Sequence, residues 1–143
     1  MRLRRITIAE VEYLAHRLAN EIMAWDEPIP DFGSRFPNVL ESCLATPFQS
    51  FDRKALYKGL IEKAATLFYL MVKNHPFENG NKRIAITTLF VFLYKNKKWL
   101  EVDDQELYNF AMWIAQSNPK LRKETISAIE KFIKTYMKEL DLG

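Results

Sequence analysis

The chain has a single cysteine, Cys43, in 143 residues. An intramolecular disulfide is therefore impossible, and a reducing cytoplasm is the expected compartment. Glycine (4) and proline (6) are scarce, which excludes collagen-like, linker-rich and turn-dense all-β chains. No apolar run is long. The longest, Ile84 to Tyr94, is broken by Thr87 and Thr88 and stops at Lys95; it is too short to span a bilayer. The basic start Met1-Arg2-Leu3-Arg4-Arg5 leads into mixed polar sequence, without the apolar core of a signal peptide. Charge of one sign is weak too. A net charge of +3 permits an acidic partner but does not require nucleic acid. Internal repeats and low-complexity tracts are missing.

What is present reads as one globular domain over residues 1–143, with 48% hydrophobic and 27% charged residues. Nearly every apolar pattern has the helical period. Ile8, Val11, Leu14, Ala15, Leu18 and Ile22 form the first stripe, behind a Thr7–Glu10 capping pair. Residues 27–38, with three prolines and a glycine, form an irregular loop. Asn38 and Glu41 suggest a cap for a short helix over Val39–Ala45. Asp52 is expected to cap a central helix over 53–74, and Ile84–Tyr94 forms a second central helix. Asp103 with Glu106 caps another. A C-terminal amphipathic helix, 119–140, follows Asn118-Pro119. The fold class is all-α, a compact bundle of about six helices with no strand expected. Lys120, Arg122, Lys123, Lys131, Lys134 and Lys138 line the outer face of the last helix as a solvated surface.

Chemistry concentrates between the two most apolar helices, in His75-Pro76-Phe77-Glu78-Asn79-Gly80-Asn81-Lys82-Arg83. Pro76 disfavours helical geometry at His75, so the preceding helix should stop there. An imidazole at that mouth can take a proton from a hydroxyl. Phe77 is the one large apolar residue of the turn and its expected anchor. Gly80 permits a tight turn and close approach of a ligand to the backbone. Asn81, Lys82 and Arg83 open the next helix, where free N–H groups and the helix dipole attract anions. Arg83 can fork onto a phosphate, and Lys82 adds a point charge. A proton acceptor beside a phosphate cradle describes transfer of a phosphate-containing group to a protein hydroxyl.

These nine residues resemble the signature of the Fic/Doc (Fido) superfamily, H-P-F-x-(D/E)-G-N-(G/K)-R. Leu40-Glu41-Ser42-Cys43-Leu44-Ala45-Thr46-Pro47 is similar to a segment of the death-on-curing (Doc) branch. The stretches from Lys63 to Asn74 and from Phe92 to Asn96 are similar as well. The resemblance covers roughly residues 5–116. It implies the Fido helical bundle and ATP as co-substrate. It also implies His75 as general base and Gly80, Asn81 and Arg83 around the nucleotide phosphates. Lys82 resembles the Doc branch, in which the γ-phosphate is transferred to elongation factor Tu and translation halts. AMP-transferring Fic enzymes have glycine there, and a second arginine where Ile86 stands. AMP transfer to a Ser, Thr or Tyr hydroxyl is the alternative.

The resemblance also implies a Mg²⁺ contact at position 79, where this chain has Asn79 in place of an acid. A neutral amide binds a hard cation more weakly than a carboxylate, so loss of activity, leaving a nucleotide- or partner-binding module, is a further alternative. The inhibitory-helix pattern (S/T)-x-x-x-E-(G/N) is not matched, since Thr125 and Glu130 are five apart. The expected partners are a protein target with a reactive hydroxyl and an antitoxin in trans, with no direct nucleic-acid or membrane contact. The loops 27–38 and 46–52 are candidates for a flap that positions the target.

Overall fold

The computed structural model describes residues 2–140, which are mostly helical, with six helices. Helix α1 starts where the sequence places it. The Thr7 side chain accepts the Glu10 amide while Glu10 Oε1 accepts the Thr7 amide, so two orphan donors are satisfied reciprocally. The helix continues through Ile8–Glu10, a π-helical stretch Val11–Ala15, and His16–Ala19. Helix α2, Pro37–Ala45, begins earlier than Asn38 would have it, because Pro37 takes the first turn.

Helices α3, Leu60–Lys73, and α4, Asn81–Lys95, are the two central elements and pack along each other. Every α3 residue from Lys63 to Val72 is buried, as is every α4 residue from Arg83 to Leu89. Helix α5, Asp104–Gln116, is capped by Asp103, which accepts the Gln105 and Glu106 amides. The reciprocal half of that box is absent, because Glu106 accepts the Tyr136 hydroxyl instead. Lys73 of α3 donates to the Ala115 and Ser117 carbonyls and so caps the far end of α5. Helix α6, Arg122–Tyr136, follows a 3₁₀ turn that Asn118 caps. Among the described residues, no helix is long and apolar enough to cross a membrane.

Two expectations are corrected, and with them the expectation of no strand, since two short two-stranded ladders form. Asp52 does not cap a helix over 53–74. Asp52 and Arg53 have φ of +52° and +65° and make the tight turn between β1, Ser50–Phe51, and β2, Lys54–Ala55. Left-handed geometry at both turn positions matches the twist of a two-residue hairpin. The central helix waits for Gly59 as its N-cap. The last helix does not run to 140 either. It stops at Tyr136, and β4, Met137–Glu139, pairs antiparallel with β3, Lys98–Leu100. Met137 closes the helical stripe and also faces Leu100 across the ladder; spacing alone does not separate the two readings.

Cys43 lies in the core with 0% exposure, and burial pushes its thiol up to about 12. The thiolate is the reactive form. Native protein at pH 8 is therefore expected to leave Cys43 unmodified by a disulfide reagent and to react fully once denatured. Fast reaction of the native chain would contradict the packing around α2.

Candidate active site

Helix α3 ends at Lys73, and Asn74 donates its amide to the Leu70 carbonyl. His75 then turns out of the helical region with φ +51°, a left-handed conformation that costs a non-glycine residue energy and marks a constrained position. The turn separates two environments: His75 is exposed, while Pro76 and Phe77 are buried. The Phe77 ring, 1% exposed, packs 5.9 Å from both the His16 and Phe32 rings. His16 Nε2 donates to the Pro30 carbonyl at 2.7 Å, so the same aromatic cluster also holds the loop after α1.

Asn81 braces the turn from within. Its Oδ1 accepts the Phe77 amide at 3.0 Å, and its Nδ2 donates to the Phe77 carbonyl at 2.8 Å. That pair fixes which end of the amide is oxygen. The other Nδ2 hydrogen faces His75 Nδ1 at 3.4 Å. Nδ1 is therefore the accepting nitrogen, and the neutral ring carries its proton on Nε2.

Gly80 opens α4 at φ +70°, ψ 16°. Segment 27–30 presses on it: a Cβ at Gly80 would stand 2.6 Å from Ile29 Cδ1 and 3.5 Å from the Pro28 carbonyl oxygen. The expected anion cradle lies under this segment. Arg83 holds the segment down. Its Nε donates to the Ile22 carbonyl at 3.0 Å, and its two terminal nitrogens donate to the Ala19 and Glu27 carbonyls, each at 2.6 Å. With 3% exposure, the guanidinium caps the C-terminal end of α1, where carbonyls and dipole favour a cation. Arg83 was expected at the phosphates; in this structure its three nitrogens donate to backbone carbonyls. Asn81, likewise expected at the phosphates, spends its amide inside the turn.

Lys82 is half-buried, with Nζ 6.0 Å from the centre of the Tyr108 ring. Tyr108 donates to Asp26 Oδ1 at 2.6 Å. Burial, with the Asp26 carboxylate beside it, pushes the phenol up to about 12. Asp26 Oδ2 is buried with no partner. Sequence reasoning missed Asp26, Tyr108 and His16. Residues 26 and 108 meet only through tertiary packing, and His16 reads as one more position of an amphipathic helix. Glu78 and Asn79 are exposed. Among the described residues, no three His, Cys, Asp or Glu side chains gather to hold a metal. The neutral amide at position 79 offers an oxygen donor but no charge, so the protein alone would hold a Mg²⁺ weakly there.

The mostly helical fold, with an exposed imidazole ahead of a central helix, is consistent with a Fido domain. The Fic/DOC family profile matches residues 5–93, more than half of the chain, and the chain belongs to the Fic/DOC family. The match ends within α4, short of residue 116, to which the resemblance was expected to extend. Members of this family generally transfer nucleotide-derived groups to proteins. Comparisons with curated proteins and with solved structures found no match.

Arg83→Lys retains the charge but loses the fork that reaches three carbonyls. The variant is expected to lose about 2–4 kcal/mol of stability in urea denaturation, because buried carbonyls are left unpaired. Stability equal to wild type would show that the guanidinium carries no structural load.

Proposed function

We propose that this chain is a Doc-like toxin that transfers the γ-phosphate of ATP to a hydroxyl of a target protein resembling elongation factor Tu. An antitoxin supplied in trans would restrain it in the cytoplasm. The observation that carries the reading is the exposed His75, set in a left-handed turn with Nδ1 as its accepting nitrogen and α4 beginning six residues later. Lys82 supplies charge at that helix start. Ile86, fully buried, leaves no second arginine one turn on.

In the step proposed, the target hydroxyl displaces the long Asn81 contact and gives its proton to His75 Nδ1. Its oxygen forms a bond to the γ-phosphorus. The bond from that phosphorus to the β–γ bridging oxygen breaks, and ADP leaves with the electron pair. Gly80 and the free amides of α4's first turn stabilise the transferring group. Nucleotide entry requires segment 27–30 to lift from Gly80, with Arg83 as the latch that holds it at Glu27. No step runs through a metal held by the protein.

A second reading, a nucleotide- or partner-binding module without transfer, is favoured by Asn79 and by the engagement of Arg83. Labelled ATP distinguishes the readings. The kinase reading expects γ-label, and not α-label, on elongation factor Tu, with the rate falling by about 10²–10⁴-fold in His75→Ala. Label from the α-phosphate alone would mean AMP transfer. ATP binding with neither label, and no rescue by Asn79→Asp, would establish the binding module.

A further inference from the structure

A concentration of positive charge lies away from His75. A basin of about 830 Å³ is walled by Arg2, Arg4, Arg5, Lys58, Lys63 and Lys95, with no acidic residue in its lining. It sits where α3 begins and α4 ends, so the length of the central helices separates it from the His75 loop by roughly 20 Å. Its walls are built. The Asn96 side chain accepts the Arg4 amide at 2.8 Å and donates to the Arg4 carbonyl at 3.0 Å. Lys95 Nζ donates to the Arg5 carbonyl at 2.5 Å. The basic N-terminal segment is thereby fixed against the end of α4.

The charges are poorly compensated. Among the described residues, only Lys95 of the six has an ion-pair partner, Glu10 at 2.7 Å. Glu62 neighbours Lys63 without pairing to it. Lys63 lies at the floor with 6% exposure, and its ammonium donates to the Tyr57 carbonyl. Burial lowers its affinity for the proton. Holding so many like charges together is unfavourable unless an anion joins them.

We infer that this basin binds a compact polyphosphate chain, either free or as the phosphate tail of a nucleotide. Three features select that chemistry. The basin is concave, so a nucleic-acid duplex cannot reach Lys63 at its floor. Five cations without an ion pair call for several negative charges within one small volume. A phosphate chain supplies these, whereas a peptide would need several acidic side chains folded into the same space. The Phe48 ring is covered by Arg5 at 4.7 Å and Lys63 at 5.1 Å, so it offers little bare face for a stacked base. Recognition is therefore of the phosphates. This inference stands apart from the transfer reaction and survives its failure.

The test is calorimetric titration of the full chain with tripolyphosphate at physiological ionic strength, with ATP and AMP as further arms. One saturable site is expected for tripolyphosphate; ATP, which the proposed function also seats at the first turn of α4, is compared through the part of its binding that the basin variant removes. Arg4→Ser with Lys58→Ser, both exposed, should weaken tripolyphosphate binding by about tenfold or more. Lys131→Ser with Lys134→Ser, an equal charge change on the outer face of α6, should not. Tripolyphosphate binding as tightly as ATP identifies the chain as the determinant, and tighter ATP binding that the basin variant abolishes identifies a nucleotide tail. The inference is overturned by absence of saturable binding, by equal weakening in both variants, or by an oligoglutamate peptide or a DNA duplex that outcompetes tripolyphosphate.

Discussion

The buried guanidinium of Arg83 is the contact on which the rest of the site depends. It is the one side chain of the motif that reaches another part of the chain through three bonds at once, to Ala19, Ile22 and Glu27. These carbonyls end α1 and begin the loop that returns over Gly80. Without a donor there, the buried Ala19 carbonyl would be unpaired and the part-buried Ile22 and Glu27 carbonyls would lose their side-chain partner. Thr87, one turn further along α4, donates to the Ala15 carbonyl at 2.8 Å and extends the same seam. Through it, α4 fixes the end of α1, and α1 fixes the loop that lies on α4's own first turn.

That closed circuit gives the His75 turn its form. Phe77 is held from one side by Asn81 and from the other by the His16 and Phe32 rings. His75 faces solvent from a strained backbone position. Reactive exposure and structural tightness thus sit on adjacent residues. At the other end of the central helices, the arrangement is reversed: charges gather in an open basin, and the backbone around them is held by Asn96 and Lys95. A protein of this size gains two chemically distinct ends from one pair of buried helices.

Much of this was legible in the sequence, and the reasons differ by element. The Thr7–Glu10 cap and the two apolar central helices follow from local rules that tertiary packing reinforces. The hairpin at Asp52-Arg53 was not legible, because an aspartate before a helical pattern signals a cap as readily as a turn. The strand at Met137 was hidden by a hydrophobic spacing common to helix and ladder. Within the motif, residue types suggest a chemistry and do not give the state of the site. Nothing in the order His75 to Arg83 says that the arginine turns back onto α1. Nor does residue 26 announce that it will meet Tyr108, since that pairing exists only once α5 is docked.

The central claim is that nucleotide phosphates bind at the first turn of α4 after segment 27–30 lifts. Backbone amide NMR during ATP titration tests it directly. The account expects the largest shifts at Gly80 to Arg83, with hydrogen exchange rising across residues 22–30 as Arg83 releases its carbonyls. Shifts confined to Arg2–Arg5 and Lys58–Lys63, with the amides of α4's first turn unmoved at saturating ATP, would contradict it.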